Sequence, residues 1–117
     1  MRQKPILYGI KNCDTVRRAV QWLNDAKVEF EFHDYKSKGI TASKLEAWSE
    51  KTGWESLLNK KGMTWKQLPE KTKDSINDQS AAIRLMVEKP TVIKRPVIEA
   101  AGHVLLGFDE ALYRQVF

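Results

Sequence analysis

The sequence predicts an α/β fold, a four-stranded mixed sheet flanked by helices, and three patterns carry the prediction. The first is an apolar run, Pro5–Tyr8, followed by Gly9, the polar turn Lys11-Asn12-Cys13-Asp14 and then Val16, Ala19, Val20 and Leu23 at helical spacing. The second is the period-two alternation from Val28 to Tyr35, which sets Val28, Phe30, Phe32 and Asp34 on one face of a strand. The third is a pair of apolar runs, Thr91–Glu99 and Val104–Gly107, joined by Ala100-Ala-Gly-His103, the signature of an antiparallel hairpin.

Taken in order, the first strand ends at Gly9 and a helix follows Cys13. Asp14 and Thr15 supply its polar first turn, and Arg17 and Arg18 lie on its wetter side. A strand, a helix of this length and a second strand imply a parallel pair joined by a right-handed crossover. Lys36–Gly39 reads as a loop, and Thr41 caps a helix that carries Leu45 and Trp48 and stops at Gly53. From Trp54 to Asp78 the pattern is helical but broken, with Gly62 and Pro69 as punctuation, and Gln79–Glu88 forms an amphipathic helix ending before Pro90. Asp109 caps a last helix, Glu110–Val116, whose Ala111, Leu112 and Val116 are expected to close over one sheet face. This order of elements is that of a thioredoxin-like fold with a helical insertion at approximately residues 41–89, and 117 residues suit a single domain.

Composition narrows the function. The formal charge of +5 favours anionic partners, but basic and acidic residues are interspersed. No aromatic-rich stacking strand accompanies Lys60, Lys61 and Lys66, so a nucleic-acid partner is not expected. No apolar run nears the roughly 20 residues that cross a bilayer, and the opening residues lack a signal-peptide pattern; a cytoplasmic monomer without membrane contact is the expectation. One cysteine excludes an internal disulfide and a thiolate zinc cage, and His33 and His103 lack metal-ligand spacing. Neither a metal nor a tightly bound cofactor is therefore expected. Trp22, Trp48, Trp54 and Trp65 read as packing residues.

Cys13 is the candidate nucleophile. It stands where a strand meets the first turn of a helix, where backbone N–H groups lack intrahelical partners and the helix dipole is positive. A thiolate is favoured in such a position, with Lys11, Arg17 and Arg18 adding to the local field. The competing reading, a small apolar filler, fits poorly with a polar turn between Asn12 and Asp14. The backbone amides from Asp14 through Thr15 to Val16 are the candidate donors to an anionic group. The second feature is Lys94-Arg95-Pro96-Val97, because an X–Pro bond has a small penalty for the cis form. The local pattern leaves open a cis turn that aims the Arg95 guanidinium at the sulfur and an edge-strand proline beside a solvated arginine.

Five segments together resemble the arsenate reductase (ArsC) family, in particular its YffB-type branch, which is related to the Spx regulators. They are Tyr8-Gly-Ile-Lys-Asn-Cys13-Asp-Thr-Val-Arg-Arg-Ala, His33-Asp-Tyr35, Trp54-Glu-Ser-Leu-Leu-Asn59-Lys-Lys-Gly62, and Lys94-Arg-Pro-Val97 with Gly107-Phe108. The resemblance implies a thioredoxin-like fold, Cys13 as the redox-active cysteine, and a cis proline at Pro96 after Arg95. Glutaredoxins and many Spx-like proteins carry a second cysteine three residues after the first, where this chain has Val16. The resolving thiol must then come from outside, and glutathione, with Lys11, Asn12, Asp14, Thr15, Val16, Arg95 and Pro96 around it, is the co-substrate the resemblance implies. The substrate would be a small-molecule or protein thiol in oxidised form. Arsenate reductases of the family hold the oxyanion with three arginines; here Arg95 matches one, and Asn59 and Val104 stand at the other two places. A monothiol reductase is the leading expectation. Arsenate reduction at a weakened site and a Spx-like protein-binding module are the alternatives.

Overall fold

Four short strands build the sheet: β1 (Ile6–Gly9), β2 (Glu31–Asp34), β3 (Val97–Ala100) and β4 (His103–Leu106), in the spatial order β2-β1-β3-β4. They belong to a computed structural model that describes residues 4–117. β1 and β2 run parallel, bridged by helix α1 (Asp14–Asp25), while β3 runs antiparallel to both β1 and β4. The mixed four-stranded, thioredoxin-like sheet expected from the sequence is therefore present. Contacts divide the chain into two compact units: one comprises the chain up to Lys38 together with Arg95–Phe117, the other Gly39–Lys94.

In the first unit the strand alternation sorts residues between the two faces of the sheet. Leu7, Ile98, Ala100 and Leu105 lie in one buried cluster with Val16, Ala19 and Leu23 of α1 and Tyr113 of the final helix, Glu110–Val116. Gly9 permits the close approach of α1: a Cβ built there would stand 2.9 Å from Val16 Cγ2. The final helix starts at the Asp109 cap, as its sequence requires, but Ala111 is exposed and Tyr113 is fully buried. Leu112, Tyr113 and Val116 fall on one side of the helix, and Ala111 lies one step around from it. The Tyr113 hydroxyl donates to the Gly107 carbonyl at 2.6 Å, and its ring meets Phe108 and Trp22 edge-on, each at 5.4 Å.

Three boundaries differ from the sequence reading. Strand pairing begins at Glu31 rather than Val28, because Lys27 takes φ +60° and the Val28 amide closes the end of α1 on the Leu23 carbonyl. Tyr35–Lys38 is a helical turn, α2, rather than a loop; Asp34 Oδ1 accepts from the Lys36 amide at 2.9 Å and starts it. The long run Thr91–Glu99 is not one strand. Pro90–Val92 is a 3-10 turn, Ile93 pairs with Leu58, and β3 starts only at Val97. The hairpin has the expected tight turn, with strand pairing reaching one residue further on each side. Ala100 and His103 are a paired rung, and Ala101 and Gly102, both at positive φ, make the two-residue turn whose twist suits adjoining strands.

The second unit is helical: α3 (Ala42–Thr52), α4 (Trp54–Leu57), α5 (Met63–Lys66), α6 (Glu70–Asp74) and α7 (Gln79–Glu88). Thr41 Oγ1 caps α3 through the Lys44 amide, Gly53 ends it at φ +85°, and Asp78 caps α7 through the Ala81 amide. α3 packs on α4 and α7, and Leu45, Trp48, Leu57, Met86 and Ile93 are all buried. The Leu57 carbonyl accepts from the Lys94 amide at 2.7 Å and the Val92 carbonyl from the Asn59 amide at 2.8 Å, which ties the end of the unit to its middle. Among the described residues no helix is long and apolar enough to cross a membrane.

Gly9→Ala should destabilise the protein by about 1–3 kcal/mol, because the added methyl group overpacks against the buried, stiff Val16. Urea unfolding checks this, and in the double variant Gly9→Ala with Val16→Ala the loss should be smaller than the sum of the two single losses.

Candidate active site

Cys13 is the N-cap residue of α1, with extended backbone (φ −131°, ψ 124°) and a carbonyl that accepts the first helical bond from the Arg17 amide at 2.9 Å. Its side chain is half-buried and packs against the cluster that holds Leu7 and Val16. That burial alone would push the thiol up. It is outweighed by the Val16 amide, by the Arg95 side chain and its charge, and by the Thr15 amide, so the thiol lies below its ordinary value. The first-turn amides have no carbonyl of their own helix to bond, which is why they are available to the sulfur.

Topology explains how Arg95 reaches this point. β1 runs toward Gly9 and the loop that presents Cys13; β3 runs the other way and starts at Val97, which pairs with Tyr8. The residues just before β3 therefore lie at the end of the sheet where Cys13 emerges. The Arg95–Pro96 peptide is cis, and the Pro96 carbonyl accepts from the Gly107 amide at 2.8 Å, joining this turn to the end of β4.

A polar cluster on the opposite face of β1 from Leu7 went unrecognised in the sequence. Tyr8 Oη donates to Glu99 Oε1 at 2.8 Å, and the Tyr8 ring lies 4.8 Å from His33 and 6.3 Å from Tyr35 between centroids. Burial, and then the bond to Glu99, push the Tyr8 hydroxyl up. Burial also raises Tyr35 well above its ordinary value, followed by the influence of Tyr8, while the Arg95 charge pulls it down. Arg95 is thus felt both by the Cys13 sulfur and by this cluster. The available signal was the two-residue strand period, which places Tyr8 and His33 opposite Leu7 and Phe32.

The other expected site residues divide. The amides of Thr15 and Val16 lower the thiol, and Pro96 turns the chain beside Arg95. Lys11, Asn12 and Asp14 flank Cys13 with exposed side chains, and the bonds that lower the thiol come from the amides of Thr15 and Val16, not from that of Asp14. Arg17 was expected to strengthen the field at the sulfur; its guanidinium instead pairs with Asp14 at 2.9 Å. Arg18 is exposed on α1. Asn59, in the helical unit, uses Oδ1 to accept from the Lys61 amide at 3.2 Å, and Val104 is an apolar strand residue paired with Glu99. Among the described residues no group of three or more His, Cys, Asp or Glu side chains is placed to hold a metal ion. The tryptophans mainly pack: Trp48 and Trp65 are buried, and Lys60 Nζ sits 5.3 Å from the Trp65 ring centroid.

The ArsC family model matches residues 8–116. An uncharacterized protein of Haemophilus influenzae is 42% identical over 111 residues, covering 95% of this chain and 96% of that protein. Among solved structures, a YffB protein is 43% identical with a TM-score of 0.92, covering 96% of this chain and 97% of its own. An arsenate reductase (ArsC) related protein from Brucella melitensis is 40% identical with a TM-score of 0.75, covering 97% of this chain and 93% of its own. The global transcriptional regulator Spx of Lactiplantibacillus plantarum is a more distant relative, 22% identical over 108 residues, covering 90% of this chain and 80% of that protein.

The pH dependence of Cys13 alkylation by iodoacetamide, followed by intact mass, should show a midpoint below that of an ordinary thiol, and Arg95→Ala should move it upward. A lowered native pKa also means that the unfolded chain binds the proton more tightly. The thiolate therefore adds to stability above the unfolded thiol's pKa, and its contribution fades as pH falls through the native one. Cys13→Ser should remove that component from a urea-stability profile against pH.

Proposed function

The chain belongs to the ArsC family, and on that premise we propose that it is a monothiol reductase with Cys13 as nucleophile and a small thiol, glutathione, as the source of electrons. The observation that carries the reading is the pairing of the Cys13 sulfur with first-turn amides and the Arg95 guanidinium in a chain with no second cysteine. A thiol lowered in this way holds a larger fraction of the nucleophilic thiolate at neutral pH than an ordinary cysteine does.

The chemistry runs in two exchanges. The Cys13 thiolate attacks one sulfur of a disulfide substrate; the substrate S–S bond breaks, and the departing thiolate takes a proton from water. The mixed disulfide on Cys13 is then attacked at the substrate sulfur by a glutathione thiolate, which restores the Cys13 thiolate and releases a mixed substrate–glutathione disulfide; a second glutathione resolves this to the substrate thiol and oxidised glutathione. Val16 occupies the position from which an internal thiol would compete, so the second exchange is intermolecular. Arg95 donates to the reacting sulfur, a charge-assisted bond worth about 1.5–3 kcal/mol.

Arsenate is a poorer fit. Its doubly charged oxyanion would have one of the family's three arginines, Arg95, because the residues matched to the other two, Asn59 and Val104, carry no positive charge. Reduction of 2-hydroxyethyl disulfide by glutathione, coupled to glutathione reductase, tests the proposal. Cys13→Ser should abolish turnover, Arg95→Ala should lower kcat/KM about 10- to 100-fold, and arsenate in place of the disulfide should give little or no rate. Full activity in Cys13→Ser would refute it.

A further inference from the structure

Beside the cysteine, the first unit carries an apolar groove that the exchange chemistry does not use. A hollow of about 520 Å³ has Val16, Val20 and Phe32 as its floor and Lys11, Arg17 and Gln21 on its rim. Its position is defined by the reacting group, since Lys11 lies in the loop before Cys13 and Val16 supplies an amide to the sulfur. Phe32 is shared with a second hollow of about 550 Å³, which continues past Phe30 and Val28 to Lys27 and Lys4. Val20, Val28, Phe30 and Phe32 are only half-buried, although each packs against the core. The track thus offers apolar surface along its floor.

The rim of the two hollows carries Lys4, Lys11, Arg17 and Lys27 against one acid, Glu29, with Asp14 engaged by Arg17 nearby. An occupant that complements it is apolar on one side and acidic on the other. Its length follows from α1, whose 12 residues span about 18 Å at 1.5 Å per residue, the reach of about five or six residues of extended chain. β2 forms the neighbouring wall; among the described residues it pairs with β1 and with no strand on its outer side, which leaves that edge to an extended backbone. Glutathione supplies carboxylates but no apolar side chain and is too short for the track. In an extended peptide, alternate side chains share a face, so apolar residues at every second position would reach the floor while acidic residues between them meet the rim.

Resting on the reductase reading, we propose that this groove seats the acidic, alternately apolar segment flanking the oxidised cysteine of a protein substrate. Docking begins beside Cys13 and runs along α1 and β2 toward Lys27. The exchange is the one described above, with the protein's cysteine as one partner of the disulfide attacked by Cys13 and glutathione as the reductant.

The probe is a fluorescein-labelled Leu-Glu-Phe-Glu-Leu-Glu peptide, compared with its Lys-for-Glu counterpart, titrated against the full chain at low salt and read by anisotropy. The acidic peptide should bind about tenfold or more tightly than the basic one. Exchanging both exposed residues in Arg17→Glu with Gln21→Glu should remove most of that preference, and amide shifts on binding should fall on α1 and β2. Equal affinity for the two peptides, an undiminished preference in the double variant, or shifts confined to other elements would overturn the docking site. So would concentration-dependent dimerisation that protects the same amides without peptide, since the groove would then serve a second copy. The reductase reading is judged separately by wild-type turnover of 2-hydroxyethyl disulfide. Tight, charge-selective peptide binding without such turnover would overturn the substrate role of the docked segment, whereas turnover without selective binding would overturn the groove alone.

Discussion

The antiparallel pairing of Tyr8 with Val97 sets the geometry on which the site depends. It aligns the outgoing end of β1 with the incoming end of β3 and so brings two loops, distant in sequence, to one end of the sheet. One loop ends in Cys13 and the first turn of α1; the other carries Arg95 and Pro96. The Gly9 and Val16 contact adds the second constraint, since it sets how closely α1 approaches β1 and therefore where its first-turn amides sit. Slippage of β3 by one residue would turn its whole side-chain set over and carry Arg95 away from the sulfur.

The state of the thiol is a balance between opposing effects. Partial burial against the core opposes ionisation, while amide donors, the Arg95 hydrogen bond and the Arg95 charge favour it. A more deeply buried cysteine would be harder to ionise and to reach. The groove and the nucleophile thus share Val16, whose side chain lies at the groove floor and whose amide serves the sulfur. Arg17, in the same helix, is directed to Asp14 and the groove rim, whereas Arg95 acts on the sulfur.

Much of the architecture was legible because local patterns recorded it. Helical spacing from Val16 to Leu23, the Thr41 and Asp109 caps and the Gly53 stop each act within a few residues, and each appears in the structure where its chemistry requires. The boundaries that moved were those decided by distant partners. Ile93 looks like part of one strand with Val97 until Leu58 claims it, and Val28 looks like strand until its amide closes α1. Ala111 has the small apolar side chain expected on the packed face of the last helix, but Tyr113 takes that place because the aromatic side chain buries more surface and its hydroxyl finds the Gly107 carbonyl.

By itself, the sequence determined the order of elements, the N-terminal placement of Cys13 on its helix and the lack of an internal thiol partner, since these follow from composition and short-range periodicity. The tertiary structure alone decided that Arg95 reaches the sulfur while Arg17 turns to Asp14, that Tyr8, His33, Tyr35 and Glu99 gather on one sheet face, and that an apolar groove opens beside the cysteine. These depend on strand register and helix approach, which join residues far apart in the chain, and a reading confined to neighbours has no access to them.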